Sequence, residues 1–184
     1  MLVSELMLQQ TQVSRVLEFY ARFIERFPTI RHLADARPNR VMESWEGLGY
    51  YARARNLHKL ARELTRDGAD GTLPAEPEEL CKLPGIGAYT AGAVASFAYE
   101  RRAALVDTNV ARVLSRVFEP ALHPKRPRDL RRIWAIAEST LPRTGKAAWT
   151  QNQALMELGA LVCTARIKRC GVCPLRRLCK SSEA

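Results

Sequence analysis

The sequence predicts an all-α fold, and three observations lead to that prediction. Apolar residues recur at helical spacing nearly everywhere. No stretch alternates apolar and polar residues for long enough to form a convincing strand, and glycine and proline divide the chain into short segments. We expect about nine short helices. Hydrophobic residues make up 47% of the chain and charged residues 26%, a balance that supports an ordinary buried core.

The net charge favours an anionic partner. The 184 residues include 29 Lys and Arg against 19 Asp and Glu, a formal net charge of +10. The longest apolar runs, such as residues 91–99, are shorter than the roughly 20 residues of a membrane span. Polar residues also interrupt the N-terminus too early for a secretory signal. We therefore expect a cytoplasmic protein with no membrane partner.

A glutamate lies inside the apolar N-terminal segment. Glu5 is flanked by Leu2, Val3 and a Leu-Met-Leu run, after which the chain turns abruptly polar at residues 9–12. A carboxylate in apolar surroundings needs either a partner or a function. The competing interpretation is that Glu5 faces solvent at a fraying terminus.

Two amphipathic segments show the clearest helical periodicity. In the first, apolar residues recur at helical spacing at Val13, Val16, Leu17, Tyr20, Ile24 and Phe27; in the second, the apolar stripe is Val110, Val113, Leu114 and Val117. Between them, the polar residues 99–102 end an Ala/Gly-rich helix. We place a domain boundary there, which divides the chain into domains of residues 1–101 and 102–184.

A pair of helices joined by a glycine-containing turn is predicted at about residues 77–98. The turn contains Gly85 and Gly87, and the second helix starts near Ala88. Glycines next to a helix start let the backbone N–H groups approach a phosphate, which the helix dipole also stabilises. Tight packing of two helices explains a bare Gly-x-Gly as well, but the net charge of +10 favours phosphate binding. Cys81, just before this turn, is predicted to be a buried core thiol.

An aspartate precedes the second amphipathic helix. Asp107 occupies the position of an N-cap, where a carboxylate accepts a hydrogen bond from the first turn. That structural role would account for Asp107 alone. A catalytic role needs a second acid, and Glu5 is the candidate.

Four cysteines near the C-terminus form the strongest motif. Six, two and five residues separate them, so all four thiolates lie in one 17-residue segment: Cys163, Cys170, Cys173 and Cys179. Four thiolates suit tetrahedral zinc or an iron–sulfur cubane. Structural zinc usually has two close Cys pairs, and this segment has one, so the spacing favours the cluster while zinc stays the alternative.

Six motifs follow one another along essentially the whole chain: residues 4–12 (SELMLQQTQ), 45–57 (WEGLGYYARARNL), 83–91 (LPGIGAYTA), 106–110 (VDTNV), 152–155 (NQAL) and the four cysteines. Together they resemble the MutY-type adenine DNA glycosylases of the helix-hairpin-helix glycosylase superfamily. The resemblance implies a helical barrel domain bearing the hairpin, a second helical domain bearing a 4Fe-4S cluster, and a DNA-binding cleft between them.

The resemblance also implies roles for the two acids. Glu5 matches the general acid that protonates the departing adenine, and Asp107 matches the aspartate beside the developing sugar cation. Glu5 must therefore be neutral and Asp107 ionised. An apolar segment around the first and a helix N-terminus under the second act in those opposite directions. Asn109 and Tyr89 match residues that border the sugar.

Further positions match DNA-contacting residues. Gln10 would wedge into the duplex with Tyr51 inserted on the other side, and Gln153 would meet the adenine edge. The phosphate-binding group is Gly85, Gly87, Ala88 and Tyr89, and the cluster ligands are Cys163, Cys170, Cys173 and Cys179.

By this resemblance the protein is a monofunctional glycosylase of base excision repair. It would hydrolyse the N-glycosidic bond of adenine mispaired with guanine or oxidised guanine, acting as a monomer on double-stranded DNA, at the nucleoid in a bacterium. The phenol of Tyr89 cannot form the Schiff base that strand cleavage requires. The alternatives are a mismatch thymine or uracil glycosylase and an inactive DNA-binding module.

Three features depart from the family pattern. Members of the family have a further helix before the segment equivalent to residues 2–5. They also have, after the cluster, a C-terminal domain that recognises oxidised guanine. We therefore expect residues 1–184 to carry only part of the base pocket and of lesion recognition. Thr108 stands where the adenine branch most often has glycine.

Overall fold

The computed structural model describes residues 1–182 and confirms the all-α prediction. This part of the chain contains ten α-helices: α1 (Leu2–Leu8), α2 (Val13–Arg26), α3 (Ile30–Asp35), α4 (Pro38–Glu43), α5 (Ala52–Leu64), α6 (Pro77–Leu80), α7 (Ala88–Tyr99), α8 (Thr108–Phe118), α9 (Pro127–Thr140) and α10 (Gly145–Glu157). A π-helical turn, Leu158–Val162, continues α10. Single 3₁₀ turns occur at Arg66–Gly68, Cys170–Val172 and Arg176–Leu178. None of the helices in residues 1–182 is long and apolar enough to cross a membrane.

The chain divides into two compact units, Met1–Val94 and a second one that begins at Ala95. In the first unit, α1, α3 and α4 each pack on α5, and α1 also packs on α2. Trp45 is fully buried, and its ring meets the Phe23 ring edge-on with 5.7 Å between centroids. This aromatic contact joins α2 to the segment that follows α4. It contributes strongly to the core, because large rings bury the most apolar area per residue.

Only some of the apolar residues that recur at helical spacing in α2 are buried. Val16 and Phe27 are buried, and the buried face continues through Phe19 and Phe23. Val13 and Leu17 are 62% and 67% exposed, so they lie outside the core. The Phe23 ring packs edge-on against the Phe27 and Trp45 rings, which holds this face of the helix in the core.

The second unit packs around α8. Val110, Val113, Leu114 and Val117 are all buried, which confirms the predicted apolar face of that helix. α8 contacts α9, α10 and the π-helical turn. Within α10, the buried Asn152 amide donates to Ser96 Oγ and to the Ala103 carbonyl, both at 2.9 Å. These bonds hold α10 to the end of α7 and to the extended segment before α8, because a buried amide needs its partners.

The chain turns sharply where the domain boundary is predicted. α7 ends at Tyr99, and Glu100 has a left-handed φ of 50°. The two compact units, however, divide between Val94 and Ala95, inside α7. The boundary between residues 101 and 102 stays a prediction.

Cys81 is exposed, so the prediction of a buried thiol is wrong. α6 is a single turn in which Leu80 takes the buried position. Cys81 caps the C-terminal end of that turn, and its side chain faces solvent.

We expect Gly145→Ala to destabilise the protein strongly. A Cβ at Gly145 would lie 1.6 Å from the Glu100 carbonyl oxygen, a backbone atom that cannot rotate away. We expect a loss of about 3 kcal/mol of unfolding free energy, measured by denaturant titration, because overpacking against backbone forces the chain to shift. Gly87→Ala is the matched control, since a Cβ there meets nothing within 4 Å. Equal stability of the two variants would contradict this packing.

Candidate active site

Glu5 has a partner within the first unit. It lies on α1, half-buried, and its Oε2 accepts a hydrogen bond from the Tyr89 hydroxyl at 3.2 Å. Burial raises the pKa of Glu5, and the Tyr89 bond and the N-terminal ammonium oppose that rise without cancelling it. The interpretation that Glu5 faces solvent is therefore wrong. A carboxyl that keeps its proton to a higher pH than usual is suited to act as a general acid.

Asp107 caps α8, as its position predicts. Its Oδ1 accepts from the Val110 backbone N–H at 2.6 Å, and its Oδ2 accepts from Asn109 Nδ2 at 3.0 Å. The N-terminal end of the helix dipole stabilises a negative charge there. The second unit thus places Asp107 and Asn109 together, with the carboxylate in a polar, hydrogen-bonded environment.

Arg112 connects this pair to the cysteine segment. One of its nitrogens, Nη2, donates to Asn109 Oδ1 and to the Gly159 carbonyl, both at 2.7 Å, and Nε donates to the Cys163 carbonyl at 2.9 Å. Gly159 lies in the π-helical turn, where a Cβ would come within 2.7 Å of Asn109 Cβ. A glycine is needed because the backbone of the turn approaches α8 so closely. A continuous chain of hydrogen bonds therefore runs from Asp107 through Asn109 and Arg112 to Cys163.

The four predicted metal ligands line one cavity. Cys163, Cys170, Cys173 and Cys179 are all partly buried around it. Arg116 Nη1 donates a hydrogen bond to Cys163 Sγ at 3.2 Å. In residues 1–182, no three His, Cys, Asp or Glu side chains converge closely enough to hold a single metal ion.

The predicted wedge residues lie on two turns of the first unit. Gln10 is exposed, follows α1 and has a left-handed φ of 55°. Tyr51 is 39% exposed at the start of α5. Tyr50, to which the sequence analysis assigned no role, is 58% exposed and has a left-handed φ of 48°. Tyr50 is thus the more prominent of the two rings.

The glycine turn combines helix packing with an open surface. Gly85 has a φ of +78°, and a Cβ there would lie 2.6 Å from Asn56 Cβ, so this glycine permits packing against α5. Gly87 has open space around its Cα, and with Ala88 it is exposed at the start of α7. The first-turn N–H groups of a helix have no acceptors within the helix itself. A glycine at position 85 is therefore explained by close packing against α5. A glycine at position 87 leaves the backbone accessible.

Gln153 lies on α10, half-buried, and its amide donates to Glu157 Oε1 at 2.8 Å, one helical turn away. The hydrogen-bond partner of Gln153 is therefore another residue on the surface of α10. The assignment of Gln153 to the adenine edge stays a prediction.

Three arginines, for which the sequence predicted no role, bind backbone carbonyl groups of these segments. Arg53, Arg112 and Arg116 each donate to several backbone carbonyl oxygens. The signal that could have found Arg112 and Arg116 is their spacing from Asp107 along one helix. Arg53 has no comparable signal, because its partners are distant in sequence.

The architecture is that of the endonuclease III-like helical proteins. A solved thermostable thymine-DNA glycosylase superposes with a TM-score of 0.86 at 28% identity, covering 98% of this chain and 82% of that one. A non-covalent endonuclease III–DNA complex superposes with a TM-score of 0.80 at 26% identity, with the same coverage.

Sequence comparison defines the family. Residues 3–135 match the HhH-GPD superfamily base excision DNA repair protein family, and the chain belongs to it. It is 48% identical over 177 residues to the adenine DNA glycosylase of Mycolicibacterium smegmatis, covering 95% of this chain and 58% of the relative. It is 42% identical over 181 residues to that of Buchnera aphidicola, covering 97% and 50%. Against the human adenine DNA glycosylase the identity is 41% over 182 residues, covering 98% and 33%. The chain thus spans from a third to just over half of these relatives' lengths.

We expect Arg112→Lys to lower the free energy of unfolding by about 1–3 kcal/mol, measured by denaturant titration. A lysine ammonium cannot reproduce the guanidinium fork, so the Gly159 or Cys163 carbonyl loses its donor. Arg131→Lys on the exposed face of α9 is the matched control and should leave stability unchanged. If the two substitutions had the same effect, the Arg112 contacts would not contribute to stability.

Proposed function

We propose that this chain is a monofunctional DNA glycosylase that removes adenine mispaired with guanine or oxidised guanine by hydrolysing the N-glycosidic bond. The observation that carries the proposal is the pair of carboxyl environments, a buried one at Glu5 and a helix-capping one at Asp107. The sequence identity of 41–48% to adenine glycosylases favours adenine over the thymine of the structural relative, which is 28% identical.

Glu5 acts as the general acid. Cleaving the bond from a sugar to adenine places negative charge on the departing base, and a proton delivered to a ring nitrogen neutralises it. The pKa of Glu5 is raised by burial, so the proton is retained until it is needed. The hydroxyl of Tyr89 holds Oε2 and thereby orients the carboxyl.

Asp107 stabilises the sugar as the bond breaks. The developing oxocarbenium ion is positive, and a fixed carboxylate near it lowers the energy of the transition state. The Val110 N–H and the Asn109 amide hold the two oxygens of Asp107. Arg112 in turn holds Asn109, so the carboxylate is oriented before the substrate arrives.

DNA binding would use three features of the chain. The exposed Gly87 and Ala88, with the adjacent backbone of Tyr89, contact a phosphate. The turns carrying Gln10 and the Tyr50–Tyr51 pair enter the duplex and fill the space of the flipped base. The net charge of +10 supplies the non-specific attraction, so affinity should fall steeply with salt.

A 4Fe-4S cluster fits the cysteine cavity, which all four thiols line. Structural zinc usually has two close Cys pairs, and this segment has one. In a cubane each iron takes one thiolate, so four cysteines supply its ligands. Arg116 would stabilise the ligand Cys163. Bound there, the cluster would serve a structural role, ordering the loop so that its Lys and Arg side chains face phosphates.

One assay tests the proposed activity against its alternatives. The protein is incubated with duplexes that hold A opposite oxidised G, A opposite G, T opposite G and U opposite G, and alkali then cleaves any abasic site. We expect product from the two adenine duplexes, and only after alkali. Product from the T or U duplexes alone would reject adenine as the substrate. Cleavage without alkali would reject the monofunctional mechanism, and binding without product would favour an inactive DNA-binding module.

We expect Glu5→Gln to lower single-turnover base release by roughly 10²- to 10⁴-fold, because the amide has no proton to deliver. In the wild type, release should fall as pH rises through the raised pKa of Glu5, since the acid is then ionised. At pH 8 the variant should unfold at an equal or higher temperature, because a neutral amide avoids the cost of a buried charge. Glu63→Gln on the exposed face of α5 is the control. A Glu5→Gln enzyme with the wild-type rate would show that this acid is structural.

We expect Asp107→Asn to keep the fold and DNA affinity while losing base release by about a hundredfold to a thousandfold. Asparagine is as good an N-cap as aspartate, so the substitution separates the cap from the charge. The measurements are thermal unfolding, duplex binding and single-turnover rate. If the variant kept most of the wild-type rate of base release, Asp107 would serve only as a helix cap.

We expect anaerobically purified protein to contain iron and sulfide rather than zinc. Cys170→Ser should lose the metal because it removes one ligand from the cavity, whereas Cys81→Ser should retain it because Cys81 is outside the cavity. Metal analysis and the visible absorption spectrum report the outcome. One zinc per chain without iron would overturn the cluster assignment.

A further inference from the structure

The guanidinium of Arg53 is buried among backbone carbonyl groups. Arg53 is the second residue of α5 and is only 7% exposed. It has no carboxylate partner among the residues described, and its donors are used on neutral oxygens. Burying a cation without a counter-ion is costly, so the number and placement of these acceptors need an explanation.

The acceptors come from two separate turns. Nη1 donates to the carbonyls of Leu6, Met7 and Gln9 at the C-terminal end of α1. The last carbonyl groups of a helix have no N–H partner within the helix itself. Nη2 donates to Thr11 Oγ1 at 3.2 Å and to the carbonyls of Leu48 and Gly49 at 3.4 and 3.1 Å, and Nε donates to the Tyr50 carbonyl at 3.4 Å. One planar group thus joins the turn of residues 9–11 to the turn of residues 48–50.

Both turns carry strained residues with exposed side chains. Gln10 and Tyr50 are non-glycine residues with left-handed φ values of 55° and 48°. Such conformations persist only where surrounding contacts hold them. The Arg53 guanidinium lies 5.3 Å from the centroid of the Tyr50 ring and 5.5 Å from that of the buried Trp45 ring, so it also links Tyr50 to the core.

We propose that Arg53 is a positioning residue that holds the Gln10 turn and the Tyr50–Tyr51 turn at a fixed separation, so that both enter the duplex together when a base is flipped out. This inference rests on the proposed function, because it assigns these turns to the duplex. Only arginine supplies five N–H donors in a rigid plane. Lysine keeps the charge but presents a single nitrogen, which cannot serve both turns.

The primary experiment compares Arg53→Lys with Arg62→Lys, an exposed position on the same helix. Single-turnover base release is measured on a duplex with adenine opposite guanine and on one with adenine opposite an abasic site, where little unstacking is needed. Arg53→Lys should lose roughly tenfold to a hundredfold on the first duplex and little on the second, because misplacement affects flipping rather than chemistry. Arg62→Lys should match the wild type on both. Equal losses on the two duplexes would overturn the proposal.

A second readout does not depend on bond cleavage. A duplex with 2-aminopurine in place of the target adenine becomes more fluorescent when the base leaves the stack. Wild type and Arg62→Lys should raise the fluorescence, and Arg53→Lys should raise it less at saturating protein. If the wild type raises fluorescence but releases no adenine, the proposed activity fails while the positioning role stands. A full fluorescence rise with Arg53→Lys rejects the positioning role and leaves the activity untouched.

Double substitution and a milder variant complete the test. If Arg53 acts through the turns, Gln10→Ala and Arg53→Lys should be non-additive, the pair losing about as much as the larger single loss. Additive losses would contradict the proposal.

The milder variant Thr11→Val serves if Arg53→Lys fails to fold. It removes one acceptor of the Arg53 guanidinium, and the other acceptors remain. That variant should show the same duplex-dependent loss at smaller size, and no change on either duplex would reject the proposal.

Discussion

The hydrogen bonds between Asp107 and the first turn of α8 are the interaction on which the second unit depends. They start the helix at Thr108, and the same helix then presents Asn109, Arg112 and Arg116 at helical spacing toward the π-helical turn and the cysteine segment. A carboxylate that caps a helix is held by the backbone itself. The side chains of Asn109 and Arg112 therefore connect the Asp107 cap to Cys163 by hydrogen bonds.

Part of the chain's positive charge is structural. Arg53 and Arg112 each donate to several main-chain carbonyls, and both connect segments that are far apart in sequence. A planar guanidinium is suited to this because it offers five donors in fixed directions and is less strongly hydrated than an ammonium. Net charge therefore indicates a polyanionic partner, although some of the arginines that contribute to it bind main-chain carbonyls within the protein.

The two carboxyl groups of the proposed site lie in different environments. Glu5 is half-buried on a short apolar helix, where its carboxyl accepts a hydrogen bond from the Tyr89 phenol, and burial raises its pKa. Asp107 accepts hydrogen bonds from a backbone N–H and an amide at a helix N-terminus. Burial disfavours charge on a carboxyl whereas donated hydrogen bonds favour it, so the two carboxyl groups lie in contrasting environments.

The sequence by itself determined the all-α class, the apolar face of α8, the Asp107 cap and the segment holding the four cysteines, because each follows from local spacing along one helix or loop. Local periodicity could not decide which face of α2 is buried, since Val13, Leu17, Phe19 and Phe23 all fit a helix and the contact of Phe23 with Trp45 comes from a distant part of the chain. Nor could it reveal the exposure of Cys81, the bond from Tyr89 to Glu5, or the burial of Arg53 between two turns. Those features join residues that are distant in sequence, so only the tertiary structure decided them, through the partners it brought within hydrogen-bonding and packing distance.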